Sequence, residues 1–403
     1  MNDAVCTKTN KIIFLNYIVA ILPTLIFGLL GNVEDHKTLI WIWDVLTIGL
    51  FFLINMFYVK KIDKKAIILG IIFMFIMAIQ FIVYSSSLTN GFVEKLYMVL
   101  PVVYFVHFLS VYCFLSNKKS NEFDATKFFN YFLIFVMLAC IYNIIKNFSL
   151  LFSLSNISNK YINISSFFTQ RNAFGQLLFL GTIANVFLLI KTKNKKYIIT
   201  LLIILLNLLF SFSRTAIFST IIFLFIVYYK KYMNLKYKKN IIILFFVIIA
   251  AFLLLLIFKN DSLKNFLEYY VLRKEDGLTG RSTIWEACIK KLSGFRIFYG
   301  YGLGSSNKIM SYYNLSNSHN TIIEILLSGG LALLSFYVII YGIVLNAIKK
   351  IKNSDVRIVL IAFYISFIVY SLFEKIMIFG TGYASVIFTL FFIAIPLLYK
   401  NNE

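Results

Sequence analysis

Long apolar stretches alternate with short lysine-rich segments along the whole chain. Runs of roughly 18 or more nearly uncharged residues recur, and each is long enough to cross a bilayer core of about 30 Å as a helix. The alternating apolar and polar positions of a membrane β-strand do not appear. The first apolar stretch, 12–31, has the length of a full span and lacks a small-residue cleavage site, so no cleaved signal peptide is expected there. The pattern predicts an all-α polytopic integral membrane protein.

The lysine clusters orient the predicted helices, because loops rich in lysine and arginine stay on the cytoplasmic side. These clusters lie near residues 8–11, 60–65, 118–127, 191–196, 230–239 and 349–352. The intervals between them predict spans near 12–31, 39–59, 66–84, 96–115, 127–146, 173–190, 241–258, 321–347, 357–374 and 377–399.

The segment 197–229 is too long for one span and has lysines at both ends. Two short helices that turn at Ser211-Phe212-Ser213-Arg214 keep both ends on the inner side. The total becomes about twelve transmembrane helices, with both termini cytoplasmic and one large outer loop at 259–320. Residues 1–165 are then the amino-terminal helices, and residues 166–399 form the predicted catalytic region.

Composition supports a membrane protein and changes the meaning of the net charge. Only 14% of the residues are charged, against about 25% in soluble domains. The net charge of +22 comes largely from lysines between spans, so no nucleic-acid partner is expected. The cysteines, Cys6, Cys113, Cys140 and Cys288, lack metal-ligand spacing and are interpreted as small apolar side chains.

The polar loop 259–320 is where we expect the chemistry, since such a loop adds little to a core. Arg281 and Trp285 are four residues apart, which allows a cation–π contact on a helix. The pattern over 283–292 predicts a short helix on the outer membrane surface. The run Gly300–Gly304 allows close approach to an anion, although a structural turn is the better interpretation.

The arginines differ from the lysines in their placement. Of the six arginines, only Arg357 falls on the inner side; the others are Arg171, Arg214, Arg273, Arg281 and Arg296. Because the guanidinium group binds phosphate through paired hydrogen bonds, this distribution indicates an anion site at the outer face. Arg214 lies between two apolar segments, where either a structural pairing or an anionic head group explains it.

His319 stands directly before a predicted span. Thr321 and Glu324 have the spacing of a capping box, so Glu324 is expected to cap that helix. The positive end of the helix favours anions and a neutral imidazole, which makes His319 a candidate general base. His36 and His107 are lone residues and are interpreted as structural.

Several short motifs occur in an order that resembles a known family. They are Gln170-Arg171-Asn172-Ala173-Phe174-Gly175, Ser213-Arg214-Thr215-Ala216, Gly280-Arg281 with Trp285, Gly300–Gly304, His319-Asn320 and Gly329-Gly330. Together they resemble the O-antigen ligase and polymerase superfamily over residues 165–345. Residues before this region match only in the number and hydrophobicity of their spans.

The resemblance implies a substrate and roles for particular residues. Members of the family use polyprenyl-pyrophosphate-linked saccharides at the outer face of the cytoplasmic membrane. Arg214 and Arg281 match the arginines that hold the pyrophosphate, and His319 matches the proposed base. Arg171 lies in a more variable motif.

Three residues, Arg171, Trp285 and Asn320, are predicted to bind substrate. Glu275, Asp276 and Glu286 are scattered through the loop and are interpreted as solvated charges. They form no cluster with metal-ligand spacing. The reaction that the resemblance implies also requires no metal and no nucleotide, so no cofactor is expected.

The motifs leave several activities open. The abundance of Asn, Lys, Ile, Phe and Tyr indicates an AT-rich source. Because gene clusters for surface polysaccharides are often AT-rich, this favours a repeat-unit polymerase of an O-antigen or a capsule. A chain-length regulator is a possible partner of such an enzyme. The alternative is a ligase that transfers the polymer to lipid A core or another acceptor. A flippase fits less well, because its polar residues would lie near the midplane. A glycosyltransferase using Glu34-Asp35 would need a longer loop than 32–38.

Overall fold

The computed structural model describes residues 37–56, 64–85, 98–116, 124–148, 164–168, 170–231, 279–306, 309 and 318–402. Within these ranges all regular secondary structure is helical. The predicted spans 12–31 and 241–258 lie outside the described residues. So do Cys6, His36, the pair Glu34-Asp35, Arg273 and the pair Glu275-Asp276.

The helices are numbered here in chain order. They are α1 Lys37–Met56, α2 Lys64–Ser85, α3 Leu100–Ser116, α4 Ala125–Lys146, α5 Arg171–Thr192, α6 Lys196–Ser211, α7 Arg214–Lys231, α8 Thr279–Lys291, α9 Arg296–Tyr299, α10 Thr321–Lys349, α11 Ser354–Phe373, α12 Gly382–Thr389 and α13 Ile395–Asn402. A π-helical segment, Leu390–Ala394, joins α12 to α13.

Five of the described helices are long and apolar enough to cross a membrane, namely α2, α4, α5, α10 and α11. Shorter apolar stretches occur in α1, α3, α6 and the segment Ala384–Lys400. The described part of the chain is therefore an all-helical membrane protein, as predicted. The number of twelve spans and the orientation in the membrane stay predictions.

Helix α5 lies at the centre of the helix bundle. It packs against α4, α6, α7 and α11, and 83% of its apolar window is buried, against 28% for α2. Phenylalanines fill the surrounding core; Phe129 and Phe132, for example, pack edge-on against Phe391. On the outer faces of α2 and α6, exposed leucine, isoleucine and phenylalanine side chains suit contact with lipid. The central position of α5 brings its first turn next to several other helices.

The predicted turn after Ser211 is present. Helix α6 ends at Phe212, whose φ of 51° is left-handed, and α7 begins at Arg214. The two helices have 16 and 18 residues, so each rises about 24–27 Å. This helical hairpin therefore places Arg214 at a tight turn between two apolar helices.

Two expectations about helix ends were wrong. The N-cap of α10 is Asn320, whose side-chain oxygen accepts from the amide of Ile323 at 3.0 Å. Glu324 does not cap the helix, because its buried carboxylate pairs with Lys375 at 2.6 Å. The last span begins at Gly382 rather than at residue 377, since residues 374–381 form an irregular segment.

Hydrogen bonds to neighbouring helices hold this segment, residues 374–381, in place. The Thr321 hydroxyl donates to the carbonyl of Glu374 at 2.8 Å and accepts from the amide of Ile376 at 2.9 Å. On the other side, the His107 Nδ1 atom lies 2.9 Å from the carbonyl of Gly380. His107 thus has the structural role that was expected of it.

The apolar face of helix α8 packs against α10. Its Cys288 is fully buried against Ile323 and Leu327 of α10, with Ile284 and Leu292 packed around them. The apolar residues whose spacing predicted a surface helix therefore cover the first turns of α10, while the position of α8 relative to the membrane stays a prediction. This packing brings Trp285 close to the start of that helix.

Candidate functional site

The first turns of α5 and α7 meet at one place. A Cβ atom built on Gly175 would lie 2.4 Å from the Cβ atom of Ser213, so only glycine allows this approach. Arg171 is the first residue of α5 and Arg214 is the first residue of α7, and both side chains are half-buried. The close packing therefore brings the two arginine motifs together.

A chain of polar contacts connects these motifs to His319. The Asn172 amide donates to Glu374 Oε1 at 2.8 Å, and Glu374 Oε2 lies 3.4 Å from His319 Nδ1. The Ser213 hydroxyl lies 3.4 Å from the oxygen of Asn172. Glu374 is nearly buried, whereas 28% of the His319 side chain is exposed. The imidazole is thus held against a carboxylate and remains open to a ligand.

The backbone around His319 is fixed on both sides. His319 itself has a left-handed φ of 49°, which is uncommon for a residue other than glycine. Before it, the Trp285 indole donates to the carbonyl of Ser318 at 3.0 Å. After it, the Asn320 amide donates to the carbonyl of Leu372 at 2.9 Å. Trp285 and Asn320 therefore position His319, and their role in binding substrate stays a prediction.

A second polar cluster surrounds Glu324. Its carboxylate accepts from the hydroxyls of Ser306 and Ser318, the latter at 3.1 Å, and pairs with Lys375 at 2.6 Å. A buried carboxylate is stable only when paired and hydrogen-bonded in this way. The cluster joins the loop 259–320, the start of α10 and the segment after α11 at one point.

The glycine run is a packing element. The amides of Tyr301 and Gly302 donate to the carbonyls of Leu327 and Ser328 at 2.7 and 2.8 Å. These carbonyls are available because α10 is interrupted at Gly330, where φ is 60° and ψ is −158°. The structural turn was therefore the better interpretation of this run.

Arg296 supports the same turn. Its guanidinium donates to the carbonyl of Gly300 at 3.2 Å and stacks on the rings of Tyr299 and Tyr301. Although Arg296 belongs to the outer arginines, its contacts are those of a scaffold residue.

Arg281 lies in the first turn of α8, one helical turn before Trp285. The structure describes the backbone of Arg281 only, so the predicted cation–π contact lies outside the described residues. Because Trp285 contacts Ser318, the helix that carries Arg281 is anchored beside His319.

The pKa values of two side chains on α8 differ from their ordinary values, and each difference has a local cause. Burial, assisted by the charge of Glu324, raises the pKa of Cys288 to about 11, which fits the expectation of an unreactive apolar filler. A hydrogen bond from Lys290, at 2.7 Å, lowers the pKa of Glu286. Both effects are local, so neither residue adds chemistry to the site.

Sequence reasoning missed Glu374 and Lys375. Glu374 is the last residue of the predicted span 357–374, and Lys375 lies between that span and 377–399, where the sequence suggests only a short turn. The available signal was an acidic and a basic residue together at a predicted outer membrane boundary, where charges are functional candidates. Asn172 was part of a quoted motif but had no assigned role.

The arrangement can bind an anion and move a proton. Helices α5, α7 and α10 all begin here, and helix amino ends favour negative charge. Arg171 and Arg214 add fixed positive charge, and the His319–Glu374 pair can accept a proton. The contact between Asn172, which follows Arg171, and Glu374 joins residues that are 202 positions apart in the chain.

Part of the chain is similar to one family of known proteins. The family model described as O-antigen ligase matches residues 199–338, a range that includes Arg214, Arg281 and His319. Arg171 and Glu374 lie outside the matched range. No curated protein matches the chain. Residues 199–338 are thus similar to the O-antigen ligase family, which belongs to the superfamily that the motifs of this chain resemble.

Proposed function

We propose that the protein polymerises lipid-linked oligosaccharide repeat units at the outer face of the cytoplasmic membrane. The donor is a growing chain on polyprenyl pyrophosphate, and the acceptor is a new lipid-linked repeat unit. The observation that carries the proposal is the contact chain from Asn172 through Glu374 to His319, beside the arginines that begin α5 and α7.

The arginines act on the leaving group. The polyprenyl pyrophosphate departs with the electron pair of the bond to the anomeric carbon, so the negative charge on its phosphates grows in the transition state. Arg214 and Arg281 stabilise that charge, and Arg171 lies where it can assist them. The amino ends of α5 and α7 contribute in the same direction.

His319 acts on the acceptor. One acceptor hydroxyl attacks the anomeric carbon, and its proton passes to the imidazole as the new glycosidic bond forms. With its Nδ1–H directed at Glu374, His319 presents Nε2 as the basic atom, and the carboxylate stabilises the resulting imidazolium. The leaving group takes the electron pair and the imidazole takes the proton, so this glycosyl transfer needs no nucleotide.

Removal of the site residues tests this assignment. We expect Arg214→Ala, Arg281→Ala and His319→Ala each to reduce polymer formation at least about 100-fold, because each removes transition-state stabilisation. Arg357→Ala, which removes the same charge from the predicted inner side, is the matched control. The measurement is polysaccharide length on gels, with membrane levels of each variant checked by immunoblot. Normal ladders from Arg281→Ala and His319→Ala would contradict the assignment.

A ligase is the second candidate, since the matched family carries that description. The two activities differ only in the acceptor. Purified protein is given lipid-linked repeat units alone or together with lipid A core. Growth of lipid-linked chains in the first reaction supports the polymerase, whereas product that forms only in the second supports the ligase.

A further inference from the structure

A polar cavity of about 280 Å³ lies beside the His319–Glu374 pair. Its walls come from α3, α5, α10, α12 and the segment 374–381, and they include Lys375, the neighbour of Glu374. The cavity lies near the starts of α3, α5 and α10, which all face the predicted outer side. Polar side chains inside a membrane helix bundle cost free energy, so they commonly mark a functional site.

Polar side chains without protein partners converge on this cavity. Tyr104 is 6% exposed and Ser328 is 2% exposed, yet neither hydroxyl has a hydrogen-bond partner among the described residues. The amide of Gln176 and the hydroxyl of Thr381 also line it, and within the same described ranges they have none either. Tyr104 and Ser328 are buried and Gln176 and Thr381 are half-buried, so a ligand or water inside the cavity would complete their hydrogen bonds.

The chemistry of the walls favours a neutral ligand with many hydroxyls. Glu324 and Lys375 pair with each other, so together they give the cavity no net charge. An anion would require a surplus of positive charge, which lies instead with the arginines. The free groups are hydroxyls and an amide, which both donate and accept hydrogen bonds, as sugar hydroxyls do.

The size limits how much of a saccharide fits. About 280 Å³ is just below the range of roughly 300–1,000 Å³ that small-molecule pockets occupy. A single sugar ring is therefore a better fit than an oligosaccharide.

We infer that this cavity binds the uncharged sugar ring of the acceptor that carries the attacking hydroxyl. The inference rests on the proposed function for the role of that ring. Tyr104, Gln176, Ser328 and Thr381 hydrogen-bond the ring, and Lys375 contributes the ammonium protons that Glu324 leaves unused. His319, held by the residue next to Lys375, then faces the hydroxyl that reacts.

Direct binding tests the inference without catalysis. Saturation-transfer NMR on the purified full chain measures binding of methyl glycosides of glucose, galactose and N-acetylglucosamine, with inorganic pyrophosphate as the rival ligand. We expect at least one glycoside to bind, with Kd raised about 3- to 10-fold by Tyr104→Phe and by Gln176→Leu. Tyr364→Phe removes a hydroxyl that donates to the carbonyl of Tyr341, outside the cavity, and should leave Kd unchanged.

The possible outcomes test the sugar-binding role of the cavity independently of the proposed transfer reaction. Absence of glycoside binding, equal Kd in all variants, or displacement of the glycoside by pyrophosphate would each overturn the inference. A transfer assay on the same preparations tests the proposed function separately. If the wild-type protein binds glycoside through Tyr104 and Gln176 but transfers no saccharide, the assignment of the cavity is supported and the proposed polymerase activity is contradicted.

Discussion

Glu374 shows how much of the site depends on one residue that no motif marks. It contacts both Asn172 and His319, and its backbone carbonyl accepts from Thr321. A carboxylate in this position orients the imidazole and stabilises its protonated form. Sequence reasoning could propose His319 from its motif, but the partner follows it by 55 positions and becomes adjacent only through folding.

Glu374→Gln tests this role because it preserves size and removes charge. We expect kcat to fall about 100-fold with KM within twofold, since the carboxylate acts on the proton transfer rather than on binding. Asp355→Asn is the matched control, as it removes a partly exposed carboxylate that pairs with Lys231 on the predicted inner side. The measurement is steady-state transfer by purified protein. A similar loss of kcat in both variants would show that Glu374 has no special role.

The elements were more predictable than the contacts between them. Apolar runs between lysine clusters predicted helices α1 to α5. The length of segment 197–229, which is too great for one span, predicted the hairpin of α6 and α7. Helix ends were less predictable, because Asn320, Thr321 and Glu324 all have polar side chains suited to a cap. Which of them caps α10 was decided by tertiary contacts, since Lys375 binds Glu324.

The contact of α5 with α7 is a testable case at this scale. Gly175→Ala places a methyl group against Ser213 and should destabilise the protein by about 1–3 kcal/mol and reduce activity, because the arginine-bearing turns must separate. Adding Ser213→Gly should restore part of both. Gly342→Ala, in α10 with open space around it, is the control. Thermal unfolding in detergent measures the effect, and a stable Gly175→Ala protein would contradict the packing argument.

At the scale of the whole molecule, the predicted orientation places all parts of the site on one side of the membrane. The starts of α5, α7 and α10 share that side with α8, while the lysines of the α5–α6 turn lie on the other. Charge distribution alone predicted this arrangement, and the contacts of Asn172, Trp285 and Ser318 are compatible with it.

Cysteine labelling tests the orientation. In a Cys6→Ser background, where the described cysteines are buried, an impermeant maleimide should label Lys290→Cys in intact spheroplasts. Lys195→Cys, an equally exposed position in the α5–α6 turn, should react only after permeabilisation. Labelling is read by a mass shift on gels. The reverse pattern would overturn the topology and the outer location of the site.

The Asn172–Glu374 contact also has a consequence for biosynthesis. Its two residues are 202 positions apart, so at about 5–20 residues per second the ribosome needs roughly 10–40 s to travel from one to the other. During that interval a nascent chain carries Arg171 and gains first Arg214 and later His319, without the carboxylate that orients the histidine. Under the proposed function, incomplete chains in the membrane would therefore lack the group that supports proton transfer, and they would leave lipid-linked sugar unreacted until synthesis has passed residue 374.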